Sequence, residues 1–170
     1  MIWGMTIATF TFIHVLISLI GIATGLVVMA GLIAEKDLRG WTPLFLVTTV
    51  ATSVTGFGFP VDHLLPSHVV GALSLAVLAV AFLARYFHLR GAWRRIYVVC
   101  AALALYFNVF VGVVQAFLNI PVLNALAPQQ TEPPFLVTQL VVLALFVALT
   151  VVAARRFHGE PLVRGRGAYD

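Results

Sequence analysis

The sequence predicts an all-α polytopic membrane protein: a bundle of five transmembrane helices, with the N-terminus outside and the C-terminus cytoplasmic. Three observations carry that prediction. The first is composition. Of 170 residues, 62% are hydrophobic and 9% charged, with a mean hydropathy of +1.07. A soluble domain carries roughly 25% charged residues, and so few charges cannot solvate a globular surface. The second is length: the apolar runs approach the ~20 residues that cross a hydrocarbon core about 30 Å thick. The third is charge placement. Loops between the runs alternate, and one set holds all 10 cations: Lys36, Arg39, Arg85, Arg90, Arg94, Arg95, Arg155, Arg156, Arg164 and Arg166. The other set holds none, which under the positive-inside rule puts the cationic loops in the cytoplasm.

The first segment covers about residues 6–34 and spans the bilayer with some tilt. Met1 to Phe10 lacks a positively charged start, and its apolar run exceeds a signal-peptide core, so a retained helix is expected. Met1 or Met5 serves as the native start. Glu35 to Gly40 makes a charged turn and Trp41 marks the interface. The second segment, about 43–57, is the shortest; Pro43 stands near its start, where the missing N–H costs little, and Gly56 to Pro60 stops it. A short outer loop holds Asp62 and His63. The third segment, about 67–88, starts with Ser67 as N-cap, or with Asp62 as N-cap and Pro66 in the first turn. The fourth covers about 96–118, the longest outer loop Asn119 to Pro134, and the fifth segment about 135–154. Residues 1–156 thus form one transmembrane domain and 157–170 a cytoplasmic tail.

The basic edge is explained by topology and meets anionic headgroups of the inner leaflet, so membrane lipids are the expected partners and nucleic acid is not. The single cysteine, Cys100, excludes an intramolecular disulfide and a Cys-only metal cage. No Gly-rich phosphate loop, G-x-S-x-G or H-E-x-x-H occurs, and no carboxylate pair lies inside a segment, so a non-enzymatic protein is expected.

Polar groups within hydrocarbon need partners. At 100° per residue, His14, Ser18, Gly21 and Gly25 share one face of the first segment. Gly21 and Gly25 form a GxxxG pair, which either packs inside the bundle or joins the chain to itself or to another membrane subunit. Asn108 and Gln115 lie along one arc of the fourth segment, Thr52 and Thr55 along the second, and Gln139 stands near the outer end of the fifth. With most of these groups in the outer half, the sequence predicts a polar pocket there, formed by His14, Ser18, Thr52, Thr55, Asn108, Gln115 and Gln139. Three chemistries fit such a pocket. His14, Gln115 or Gln139 can hydrogen-bond a quinone or another apolar ligand. His14 and His68 can ligate a non-covalent b-type haem, since no CxxCH is present. His14, His63, His68 and Asp62 can hold a metal ion. A small-solute transporter needs a continuous polar path, which the aliphatic inner half does not supply.

Three stretches, SVTGFGFP (53–60), LPSHVVG (65–71) and ALYFNVFVGVVQAFLNIPVLNALAP (104–128), resemble small multi-pass integral membrane proteins of bacteria that carry no assigned activity. The resemblance covers most of Met5 to Phe157. It implies a helical fold in a bacterial cytoplasmic membrane and no particular chemistry. A looser similarity is to haem-binding membrane cytochromes of the b561 type; those proteins carry paired histidines on several helices, whereas this chain has one clearly intramembrane histidine, which puts two haems out of reach.

Overall fold

A computed structural model describes residues 2, 4–36, 38–60 and 66–157. Among them six helices follow one another: α1 (Ile7–Ile33), α2 (Trp41–Gly56), α3 (Pro66–Tyr86), α4 (Ala92–Asn119), α5 (Pro121–Leu126) and α6 (Pro133–Arg156). The only β-pairing among the described residues is an isolated bridge between Ile2 and Met5. Four of the helices, α1, α3, α4 and α6, are long and apolar enough to cross a membrane. This is the architecture of a multi-pass helical membrane protein. With 16 residues, α2 is shorter than the other four.

Local chemistry explains the boundaries. Thr6 caps α1 by accepting the Thr9 N–H at 3.1 Å. Pro121 and Pro133 open α5 and α6, where no helical partner for their N–H is lost. The third segment begins at Pro66, one residue before Ser67, so Ser67 lies inside the helix and is not its N-cap. Asp62 and His63, and the tail from His158, lie outside the described residues. The long connection from α4 to α6 contains a further helix: Pro121 starts α5 directly after α4. That connection is stitched down. Gln130 Nε2 donates to the Val114 carbonyl at 2.8 Å, Asn124 Nδ2 donates to Phe117 at 3.2 Å, and Phe117, Ala127 and Phe135 bury one another. Partial desolvation pushes the Glu132 carboxyl up; backbone N–H groups of Glu132, Gln129, Thr131 and Gln130 outweigh it and hold the group below the usual carboxylate value.

At the opposite end, two helices close by the same device. Lys36 N–H bonds the Gly31 carbonyl at 2.8 Å and Glu35 N–H bonds Leu32 at 3.3 Å, with Glu35 left-handed at φ 60°. Leu89 N–H bonds Ala84 and His88 N–H bonds Arg85, with His88 at φ 56°. This turn ends α3 at Tyr86, before the His88 end the sequence suggested.

Successive long helices run antiparallel. Gly21 of α1 faces Thr48 and Thr49 of α2, Gly25 faces Phe45, Gly58 meets Phe10, and Gly31 meets Leu38. The contacts therefore run along nearly the whole of α1, matched by residues 38–58 of the α2 segment. α4 is the hub, touching every other helix. Lipid tails are as apolar as the side chains, so close approach of small residues rather than hydrophobic expulsion holds such helices together. Accordingly Ala81 and Ala84 of α3 and Ala101, Ala102 and Ala104 of α4 are buried. Gly21 and Gly25 are buried too. The GxxxG face thus packs inside the bundle, against α2 and α4. The helix ends bearing Lys36, Arg39, Arg85, Arg90, Arg94, Arg95, Arg155 and Arg156 gather at one end of this antiparallel set.

Candidate functional site

The polar residues expected to share one pocket lie at different helix contacts. They divide among three helix contacts. The α1/α2/α4 contact brings together His14, Ser18, Thr52, Thr55 and Asn108. Gln115 is exposed and lines a hollow of about 80 Å³ between α3 and α4, beside Ser67 and Val114. Its side chain accepts from Asn119 Nδ2 at 3.0 Å. Gln139 lies at the α4/α6 contact, where Nε2 donates to the Phe110 carbonyl at 3.3 Å and the buried Oε1 has no partner. Asn108 and Gln115 share an arc on a helical wheel, but two turns along α4 the neighbouring helices are different ones.

Most hydroxyls serve their own helices. Ser18 donates to the His14 carbonyl at 2.7 Å, and Thr24, Thr48, Thr49 and Ser53 each bond the carbonyl four residues back. Asn108 Nδ2 reaches from α4 to the Ser18 carbonyl at 3.4 Å. The buried Thr52 hydroxyl, on the α2 stripe between Thr48 and Thr55, has no partner.

His14 is the group this contact leaves available. Its Nδ1 lies 2.7 Å from Thr55 Oγ1. The Thr55 hydroxyl has one proton and donates it to the Ala51 carbonyl at 2.7 Å. The His14 contact admits both tautomers; in the one that keeps the Ala51 bond, the oxygen accepts from the imidazole and Nδ1 carries the ring proton. In the neutral ring Nε2 is then the bare acceptor. Phe59 packs edge-on to the ring at 5.2 Å and Phe10 edge-on to Phe59 at 5.0 Å. The imidazole is half-buried, while Ile13, Val15 and Leu16 beside it are exposed to the lipid. Seven residues into α1, it lies roughly 10 Å below the helix start. The sequence reading singled out His14 and Thr55 but missed the aromatic wall. Phe59 falls just past a helix stop, where no helical period points to it.

His68 is elsewhere. It is buried against Phe57, with ring centroids 5.5 Å apart, and Gly71, one turn further along α3, meets Phe57 and Ser53. Thr55 and Phe57 are two residues apart and point about 200° apart around the α2 axis. The α2 backbone therefore stands between the two imidazoles, and His14 and His68 do not face each other across the gap that a shared haem needs. Among the described residues no group of three or more His, Cys, Asp or Glu could hold a metal ion.

Comparison with protein-family models, curated proteins and solved structures finds no match for this chain.

Proposed function

We propose that the protein is a non-enzymatic, ligand-binding protein of a bacterial cytoplasmic membrane, crossing it five times with its N-terminus outside. Its ligand is a lipid-soluble molecule with a hydroxyl group, of the quinol class, received at His14 in the outer half. The observation that carries this reading is the 2.7 Å hydrogen bond between His14 Nδ1 and Thr55 Oγ1: with Nδ1 as its donor, the imidazole offers a bare Nε2 acceptor at a depth that an apolar molecule reaches through the bilayer. The Phe10 and Phe59 rings supply the apolar wall typical of such sites.

Two features support five crossings. The α2 segment keeps beside α1 from Leu38, against Gly31, to Gly58, against Phe10, and the helical stretch of α1 from Phe10 to Gly31 is about 30 Å long. The cationic helix ends lie together, as the positive-inside rule requires of one cytoplasmic face. In a Cys100→Ala background, cysteine at Thr131 should react with an impermeant thiol reagent applied to intact cells, and cysteine at Arg90 should react only after lysis. The opposite pattern would invert the topology, and labelling of both on intact cells would remove it.

The ligand is tested by solvent extraction and mass spectrometry of protein purified in mild detergent. A stoichiometric isoprenoid quinol or similar hydroxylated lipid is expected with the native chain. Its amount should fall at least tenfold in His14→Phe, which keeps a planar ring and removes the acceptor. Equal recovery from both proteins would refute the site. An absorption spectrum of the same sample addresses haem: a Soret band lost in His14→Phe would replace the quinol reading with axial ligation by His14.

A further inference from the structure

A second site lies at the other end of the bundle. A groove of about 190 Å³ runs between α4 and α6, lined almost wholly by apolar groups that include Val99, Leu103, Tyr106, Phe146, Val147 and Val151. We propose that this groove holds one acyl chain of an anionic phospholipid of the cytoplasmic leaflet, with the headgroup phosphate on Arg95 and Arg155. The proposal uses the orientation argued above and is independent of His14.

Register makes the argument. Arg95, Val99 and Leu103 follow one another at four-residue spacing on α4, and Val147, Val151 and Arg155 do so on α6. Four-residue steps stay on one helix face. Each wall of the groove therefore leads, one turn further toward the cationic end, to an exposed arginine. Arg95 to Tyr106 is 11 residues, or about 16 Å of helix. That is half of a hydrocarbon core about 30 Å thick, the depth of one leaflet. Tyr106 and Phe146 meet at the deep end with ring centroids 5.7 Å apart. The one hydroxyl on the α6 wall, Thr150, is turned to its own helix, donating to the Phe146 carbonyl at 2.6 Å. What remains is a dry, chain-shaped trough beneath two guanidiniums. Its chemistry matches a phosphate with an attached acyl chain and does not match a free phosphate or an uncharged lipid. Guanidiniums hold phosphate oxygens in bidentate geometry, and each cation at a membrane surface favours anionic lipid roughly fivefold.

The test is native mass spectrometry of the full chain, released from detergent after equilibration with phosphatidylglycerol or phosphatidylcholine bearing identical acyl chains. The native protein should retain one phosphatidylglycerol over phosphatidylcholine by roughly thirtyfold, the product of two such cations. Arg95→Gln/Arg155→Gln should reduce that preference to near unity, while Arg39→Gln, at another loop, leaves it unchanged. Val147→Trp fills the trough from a position that is 55% exposed, so folding tolerates it, and it should lower retention of both lipids. Equal retention of the two lipids by the native chain would overturn the proposal. So would an Arg39→Gln effect as large as that of the double variant, or undiminished retention in Val147→Trp.

Discussion

Gly25→Val is expected to destabilise the bundle by about 1–3 kcal/mol, the range for overpacking a filled interior. Even a single Cβ at this position would lie 2.5 Å from Leu105 Cδ1 and 2.8 Å from Phe45 Cε2. Both side chains are 1% exposed, so either they repack within a filled interior or α1 shifts away from α2 and α4. Gly112 supplies the contrast. A Cβ there would meet only Ile22 Cδ1, at an ordinary 3.5 Å, and alanine is a better helix former than glycine by up to about 1 kcal/mol. Gly112→Ala should therefore be neutral or stabilising. Unfolding in mixed micelles of rising SDS fraction, followed by circular dichroism, ranks the two. Equal midpoints would mean that the small-residue face of α1 does not pack where described.

Asn108→Asp is expected to be worse than Asn108→Leu, although aspartate is closer to asparagine in shape. Asn108 is 7% exposed near the middle of α4, and its amide nitrogen points at the Ser18 carbonyl. Aspartate replaces that donor with an acceptor and sets two oxygens against each other. An ionised carboxylate at the centre of a membrane helix costs roughly 2.5–3.5 kcal/mol. Leucine removes only one interhelical hydrogen bond, about 0.6 kcal/mol on average. The same SDS titration measures both. An Asp variant as stable as the native chain would mean that water reaches Asn108.

The contrast between these two positions shows which features the sequence could disclose. Helix existence was readable because lipid demands long apolar runs, and a stop was readable where glycine and proline make it, as at Gly56 to Pro60. The end of α3 was not, because left-handed His88 closes the turn with no glycine or proline to mark it. The buried GxxxG face was visible as a pattern, but its partner was not. Gly21 and Gly25 meet α2 and α4 within the chain, a choice that depends on how the helices are arranged. The division of the polar residues among several helix contacts was hidden for a related reason. A helical wheel places Asn108 with Gln115 but carries no information on which neighbour each level meets. It likewise could not show that α2 stands between His14 and His68. The α4/α6 groove was legible in principle from the four-residue rows ending at Arg95 and Arg155, which apolar composition alone conceals.

The most direct test of the ligand reading is the protonation pattern of the His14 ring, measured by nitrogen-15 NMR of histidine-labelled protein in lipid nanodiscs. The account predicts a neutral ring with its proton on Nδ1, and an Nε2 resonance that moves when a short-chain quinol is added. Thr55→Val should abolish the Nδ1 preference. A ring protonated on Nε2 in the native chain, or an Nε2 resonance indifferent to saturating quinol, would contradict the assignment of His14 as the acceptor that receives the ligand.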